Sequence, residues 1–580
     1  MGKIVLGLNL FHADSSACLI VNNELIAAAE EERFTRVKHY GGMPSNAIKF
    51  CLISNGYTLD DVDIISINQN KFENLLEKFK YLVAKKLSLK LILKSLKITK
   101  KRRDIKTLIN NLDIGTFKGK IKGIEHHLSH VCSSFNVSGF KNATCLSLDG
   151  FGDFVSTAWG YGNNENVFLE DKVYFPHSLG VFYQSITQYL GFNNYGDEYK
   201  VMGLAPYGKP TYTDKLDNLI KYIGKGKFEL NLEYFTHHEN DYSMDFESNG
   251  YPIIKTLYSN RLCELLGPPR KTNEKIEQFH KDIASSAQKI YEDIFFKILN
   301  FLFEKYKNKN LSLSGGCIMN SVANGKIRDN TNFTNIYIPS APGDAGGAIG
   351  SSFAFLSQTN KIKFKHLHTY WGPKFTNDEI KKEIENLILN EGNPNNLNIK
   401  LIENEDDLND LVSSAIQNNK VIGWFQGKME FGARSLGNRS ILANPANPKI
   451  KDLINKKIKL RETFRPFAPS ILSEDVEKWF GICRDLPFMS EVSKIKNNKN
   501  LIPGVVHIDD TCRLQTVKKE ENKKFYNLID RFKQKTGIPI LLNTSFNENE
   551  PIVCSPKDAI KCFLRTEMDI ICIENWVISR

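Results

Sequence analysis

No uninterrupted apolar run in this 580-residue chain reaches the ~18 residues that crossing a bilayer requires, so no membrane span is expected. The eleven cysteines contain no C-x-x-C pair and follow no regular framework, which argues against a disulfide-stapled scaffold and for a reduced, cytoplasmic setting. The opening "MGKIVLGLNLFHADSSACLI" reads as a strand with polar interruptions and lacks the order of a signal peptide. Acidic residues are missing from one long window. Between Lys78 and Arg103 stand eleven basic residues and no acidic one, a surplus equal to the whole net charge of +11. The rest of the chain is balanced, so a general electrostatic footprint for nucleic acid is not supported. The window mixes Leu and Ile with Lys at helical spacing and reads as a solvated amphipathic helix whose lysine stems cover apolar surface. A surface-binding helix for anionic lipid or an anionic acceptor is the alternative.

What is present describes a globular α/β protein. Hydrophobic residues make up 41% and charged residues 25% of a chain long enough for about two to four domains. Two stretches share one order of strand, small-residue loop, strand, turn and strand: "IVLGLNLFHADSSACLIVNNELIAAAEEERF" and "TCLSLDGFGDFVSTAWGYGNNENVFLEDKVYF". In each, a polar residue (Asn9, then Asp149) ends the first strand and a loop of small and acidic residues follows. Backbone amides in such loops can face phosphate oxygens. A duplicated unit of this kind is similar to the actin/sugar-kinase/Hsp70 ATPases, although two unrelated hairpins would look alike. "NLSLSGGCIMNSVANGKI" and "IYIPSAPGDAGGAIGSS" repeat the strand, glycine pair and helix pattern, with Asp344 opening the second helix either as a ligand or as a plain N-cap. Residues 358–370 form a polar linker between a first domain (1–357) and a second α/β domain (371–580).

Two clusters carry the chemistry. In "GIEHHLSHVCSSF", His126 and His130 are four apart, and on one helix face two imidazoles can grip one metal ion; an exposed polar turn is the plain alternative. In the second domain, Arg434 and Arg439 sit beside small residues after the strand "VIGWFQG". Lys459, Arg461, Arg465 and Arg513, and the hydroxyl and amide run Asn543 to Asn547, complete a set suited to a phosphorylated small molecule. Surface salt bridges would be the alternative for any one of them.

Taken together, "EEERFTRVKHYGGMPSNAI", "HHLSH", "LDGFGD", "EYKVMGLAPYG", "SGGCIMNSVANGKI", "APGDAGGAIG", "EFGARSLGNRSILA", "KLRETFRPFAPS" and "LLNTSFNENEPIV" resemble the NodU/CmcH family of ATP-dependent O-carbamoyltransferases along nearly the whole chain. The resemblance implies an N-terminal ASKHA-type domain, duplicated and RNase H-like, and a C-terminal YrdC-like domain. It implies that His126, His130, Asp149 and Asp344 hold one divalent metal, iron(II) first and manganese or zinc otherwise. ATP would lie against Lys38, Gly150, Gly152, Gly315, Gly316 and Asn320. Carbamoyl phosphate would bind Arg434, Arg439, Lys459, Arg465 and Arg513, with Ser545 as a hydrogen-bonding partner. Carbamate released there would form carbamoyladenylate with ATP, and a hydroxyl of a small-molecule or sugar acceptor would then take the carbamoyl group. His12 would remove the hydroxyl proton and Lys38 would neutralise phosphate charge. A homodimer is one assembly open to such a chain, and the sequence does not fix the oligomeric state. Where many members read "GPRALG", this chain reads "GARSLG", with both arginine positions kept. A tRNA threonylcarbamoyl-type transferase is the nearest competing reading. A metallopeptidase fits poorly because "HHLSH" lacks the H-E-x-x-H order, and a non-enzymatic ATP switch leaves the arginine set unexplained.

Overall fold

Alternating and continuous apolar runs of β-branched residues build two five-stranded sheets in the N-terminal part of the chain. These and all further structural statements come from a computed structural model that describes residues 3–84, 105–164, 166–239, 244–358, 368–389, 393 and 396–580. Most of the expected linker and residues 85–103 of the basic window lie outside the described residues.

The first sheet orders its strands Glu24–Glu30, Ser16–Val21, Ile4–Asn9, Ile64–Ile67 and Lys120–Gly123. Ile4–Asn9 runs antiparallel to Ser16–Val21 and parallel to Ile64–Ile67, which in turn is parallel to Lys120–Gly123. The second sheet repeats the order and the senses with Asn166–Tyr174, Val155–Asn163, Asn142–Gly152, Asn310–Ser314 and Asn335–Tyr337. The repeat read from the sequence is therefore present as two sheets of one topology. Its first hairpin turns on Asn22 and Asn23, both at positive φ, as a tight two-residue turn requires.

One expectation needs correction. Asp149 does not end its strand. Asn142–Gly152 continues to a turn at Asp153 and Phe154, and its ladder with Val155–Asn163 slips between Leu148 and Gly152. That bulge takes Asp149 and Gly150 out of regular pairing and re-aims the carboxylate, a common use of bulges beside functional sites.

The helix Gly347–Ser357 packs on the strand Ile4–Asn9 and on the helix His126–Phe135. Its small residues make this approach possible. A Cβ on Gly350 would come within 1.7 Å of the Ser129 carbonyl, and one on Gly7 within 2.1 Å of the Ala348 carbonyl. Serine hydroxyls fasten the contact, with Ser66 Oγ 3.0 Å from Ser351 Oγ and 2.9 Å from Ser352 Oγ, and Ser16 Oγ donating to the Ala345 carbonyl. Any larger residue at Gly350 would push apart the elements that carry His130 and Asp344.

The chain divides into two compact units. The first holds residues 1–35, 39–319 and 326–366; the second holds 36–38, 320–325 and 367–580. Within the second unit an eight-stranded mixed sheet runs in the order Asn398–Leu401, Trp576–Ser579, Ile570–Ile573, Ile422–Phe425, Arg439–Ala443, Ile540–Ser545, Ala468–Leu472 and Gln515–Val517. Helices Glu405–Gln417, Lys523–Thr536 and Pro556–Arg565 are capped by Asn404, Asn522 and Ser555, each accepting a backbone N–H from the first turn. The short segments that join this unit are tied in by their own bonds. The Arg36 guanidinium donates to the carbonyls of Ile552 (2.7 Å) and Pro551, and the Asn324 amide donates to the Ser490 carbonyl.

Candidate functional site

In the first unit, four side chains from three separate elements meet. His126 and His130 come from one helix, Asp149 from the bulged strand, and Asp344 from the single turn Asp344–Gly346 before the helix Gly347–Ser357. The helix start is fixed by carboxylates. Glu125 accepts the Leu128 amide, and Asp153 Oδ2 accepts the amides of both His126 and Asn70. Gly152 lies directly under the His126 ring, where a Cβ would clash at 2.0 Å, so this glycine serves the histidine's packing. Gly150, by contrast, has open space on its Cβ side.

The two Nε2 atoms face each other at 3.0 Å, and each lies 3.4–3.7 Å from Asp149 Oδ2 and Asp344 Oδ1. The four ligand atoms fall within 4.8 Å of one another. A tetrahedral ion with bonds of about 2.1 Å needs its ligand atoms about 3.4 Å apart, so the set fits one ion. Asp344 Oδ1 is buried and faces both imidazole Nε2 atoms at 3.4–3.5 Å, the position of a ligand oxygen beside them. The cluster is electrically coupled. Burial pushes the His130 pKa down, but hydrogen bonds and charge from Asp149 and Asp344 overcome it and hold it up at about 10. Burial likewise works against ionised Asp149, yet the two imidazoles keep its carboxyl well below the usual range.

His127 has a different role. Its ring is fully buried between Ser147 Oγ (2.8 Å) and the Val155 carbonyl (2.9 Å), and burial drives its pKa down to about 4, so it is a neutral structural histidine. His12 stands at the edge of the cluster, its Nδ1 3.9 Å from Asp344 Oδ2 and its ring 5.7 Å from that of His126. Gly316 donates its amide to Asp149 Oδ1 at 2.7 Å, and Gly315 takes φ +95° where a side chain would strike the Leu148 carbonyl. Two residues expected beside ATP, Lys38 and Asn320, belong to the second unit; Asn320 Oδ1 there accepts the Ala323 amide.

A second trio, Asp14, Glu32 and His39, also gathers in the first unit. Here Arg33 holds one oxygen of Glu32, the His39 amide holds the other, and His39 Nδ1 lies 2.8 Å from Asp14 Oδ1, so the trio is already tied within the protein.

The second unit assembles cations. Arg513 is pushed well below its ordinary pKa by burial and by the charges of Arg434, Arg461 and Arg465. Lys459 is lowered by burial and by Arg461, Arg465 and Lys38, and its ammonium donates to Ser545 Oγ, the Asn547 carbonyl and Asn547 Oδ1. Glu430 anchors the loop that carries Arg434, accepting the amides of Leu436, Asn438 and Arg439 on one oxygen. Arg439 stands apart from the set in which the sequence placed it. It is wholly buried, lies 3.5 Å over the Phe425 ring, and donates to the carbonyls of Gln426, Gly427, Asn438 and Pro373. Its donors tie backbone together, the role of a strut. Sequence reasoning missed Asp153 and Glu430, single acids among many; the spacing of Glu430 ahead of a Gly-rich loop was the only available signal.

The match to known proteins is extensive. A carbamoyltransferase N-terminus family model covers residues 4–353 and a carbamoyltransferase C-terminus model covers 413–580. Among relatives, an uncharacterized protein of Synechocystis sp. is 35% identical across 99% of this chain and 96% of its own. Nodulation protein NolNO of Sinorhizobium fredii is 34% identical over 99% of this chain and 80% of its own. Nodulation protein NolO of Bradyrhizobium diazoefficiens is 35% identical over 79% of each chain. Among solved structures, T. kodakarensis HypF covers 63% of this chain and 49% of its own at 13% identity with a TM-score of 0.29, too slight a likeness to bear on the fold. Two family models that span most of the sequence, and relatives matched over most of their length, place this chain in the carbamoyltransferase family, with carbamoyl transfer as the activity that membership supports.

Proposed function

We propose that this protein moves a carbamoyl group from carbamoyl phosphate to a hydroxyl of a small-molecule or sugar acceptor, using ATP and passing through carbamoyladenylate. The observation that carries the reading is the convergence of Arg434, Arg461 and Arg465 on half-buried Arg513 within a carbamoyltransferase. Cations gathered so closely favour an added anion beside them, and a phosphorylated donor supplies one. Lys459 and Ser545 complete the donor set in this reading, and Arg439 supports it from behind.

The first unit takes the ATP half of the reaction. Its paired sheets of one topology support an ASKHA-type, RNase H-like duplication, and the mixed sheet of the second unit suits a YrdC-like domain. His126, His130, Asp149 and Asp344 would hold one divalent ion, iron(II) by preference and manganese or zinc otherwise, whose Lewis acidity would polarise phosphate and carbonyl oxygens. The open side of Gly150 gives room for phosphate, with the Gly315–Gly316 turn on the same unit. His12, beside the cluster, would take the proton of an acceptor hydroxyl, whose oxygen attacks the mixed anhydride and releases AMP. Lys38, in the second unit, would balance phosphate charge. No described helix is long and apolar enough to cross a membrane, and a cytoplasmic setting accords with the free cysteines.

The test is carbamoyl-phosphate-dependent conversion of ATP to AMP and pyrophosphate, followed by carbamoyl transfer across a panel of hydroxylated acceptors. Conversion without carbamoyl phosphate contradicts the reading. An absolute requirement for tRNA replaces it with a threonylcarbamoyl-type transferase.

A further inference from the structure

The helix Leu75–Ala84 turns its apolar face outward. Phe72 in the preceding turn and Leu75, Leu76, Phe79 and Val83 on the helix are 55–68% exposed. At 3.6 residues per turn, these five positions fall within about 100° of arc. Fifteen large apolar side chains are exposed among the described residues; five stand in these twelve positions and the others are scattered. The opposite side is bound to the protein by polar and aromatic contacts. The Asn74 side-chain amide donates to the Asp153 carbonyl, the Tyr81 ring meets Phe154 and Phe175 edge-on at 5.7 and 5.1 Å, and the Tyr81 hydroxyl donates to the His238 carbonyl. A surface helix ordinarily buries its apolar stripe and exposes its polar side. Here that order is reversed while the helix remains anchored.

Charge indicates what covers the stripe. Lys71 and Lys80 flank it, and Glu77 beside it is matched by Lys80 at 2.6 Å. Residues 85–103, next in the sequence, hold nine Lys and Arg and no acidic residue. A nucleic acid would satisfy the lysines and leave five apolar side chains in water. An acidic protein would need its own apolar strip. An anionic bilayer surface offers both an acyl boundary for Phe, Leu and Val and negative headgroups for Lys.

We propose that the outward face of Phe72–Val83 docks on an anionic lipid surface. The attachment is reversible and interfacial, with the side chains entering the headgroup boundary and the backbone staying outside. Because Asn70 and Asn74 both bond to Asp153, which also fixes the amide of His126, docking holds the His/Asp cluster close to that surface. This inference stands apart from the proposed chemistry, since it depends on no step of the reaction.

Flotation of the full-length protein with phosphatidylcholine vesicles, with and without about one-third phosphatidylserine, tests it. Binding is expected only with phosphatidylserine and is expected to fall at least tenfold on raising salt from about 0.1 to 0.5 M. Leu76→Glu/Phe79→Glu changes two exposed residues outside the proposed catalytic and binding sets. It should lower vesicle binding at least tenfold while circular dichroism and turnover with soluble acceptors stay at wild-type levels. Equal binding to neutral and anionic vesicles overturns the proposal, as does undiminished binding by the double variant. A dimer that the double variant dissociates, or RNA retention without vesicle binding, overturns it too by assigning the face to another occupant.

Discussion

The two charged centres of this protein solve opposite problems. In the first unit, two imidazoles and two carboxylates interleave at 3.0–3.7 Å, so each acid is stabilised by a base and each ring by an acid. In the second, Arg434, Arg461 and Arg465 press on Arg513, and Lys459 is lowered by cations on several sides. The first centre has the donor set of a cation site; the second gathers positive charge of the kind that suits an anion. The first is largely buried and the second, apart from buried Lys459, is half-buried, and in both the charges held out of water feel their neighbours more strongly. The proposed reaction, with a metal beside one substrate and a phosphate gripped on another, calls for one centre of each kind.

The largest effect should follow from breaking the first centre. His130→Ala removes one of four ligand atoms and should lower bound metal to below about one-tenth of wild type, with transfer falling by more than about a hundredfold, beyond the loss typical of outer-sphere partners. Metal content by elemental analysis checks the cause, and circular dichroism checks that the helix survives. Full metal content in this variant, or full activity after metal is stripped from the wild type, would falsify the assignment.

Somewhat smaller is the expected effect of His12, which borders the same centre. His12→Asn should slow transfer to the acceptor by about a hundredfold while leaving carbamoyladenylate formation largely intact, as for loss of a general base. Pyrophosphate release measured without acceptor separates the steps. Equal damage to both would mean that His12 belongs with the metal or nucleotide, a natural alternative given its 3.9 Å approach to Asp344.

The contrast between the centres also governs what could be read without a structure. Periodicity made the pairing of His126 with His130 legible, since four residues make nearly one helical turn. Local pattern likewise gave the repeated hairpins, down to the Asn22–Asn23 turn. Arginines after a strand pointed to an anion pocket, yet residue type could not separate Arg439 from Arg465. One donates to four backbone carbonyls and the other keeps about a fifth of its side chain exposed, a distinction set by neighbours distant in sequence. Nor did the sequence assign Arg36–Lys38 and Asn320–Gly325 to the second unit, because their contacts with residues such as Ile552 and Ser490 cross more than 150 positions. The helix Leu75–Ala84, which overlaps the start of the basic window, shows the same limit from the other direction. Amphipathic spacing was readable from Lys78 on, and the side the helix turns outward was not.

Arg439 and Arg465 together sharpen the reading of the second centre. Arg465→Ala should reduce turnover from carbamoyl phosphate by about 10- to 100-fold, because a charged hydrogen bond to a buried phosphate contributes roughly 1.5–3 kcal/mol. Supplying carbamoyladenylate directly should restore transfer. Arg439→Ala should instead lower the stability of the fold by roughly 3 kcal/mol or more, through lost carbonyl partners and an emptied buried volume, and carbamoyladenylate should not rescue unfolded protein. Chemical denaturation of both variants distinguishes the two roles. A normal midpoint for Arg439→Ala would return that residue to the ligand set.

The smallest effect isolates charge from turnover. Inorganic phosphate alone should stabilise the second unit by mass action, about 2.7 kcal/mol when it reaches a hundred times its dissociation constant. For a domain of this size that corresponds to a melting shift of roughly 5–10 °C. Arg465→Ala should lose most of the shift, whereas His130→Ala should keep it. The pH dependence has a definite sign. Lys459 has a folded pKa well below its ordinary 10.5, so the native chain binds fewer protons than the unfolded one and loses stability as pH falls below 10.5 toward the folded pKa. A bound anion offsets the surrounding cations and raises that pKa, so the phosphate-induced shift should grow as pH is lowered through the alkaline range. Differential scanning calorimetry at several alkaline pH values, with and without phosphate, measures it directly. A shift of equal size in wild type and Arg465→Ala would reduce the effect to general salting and leave the cationic centre without an anion to hold.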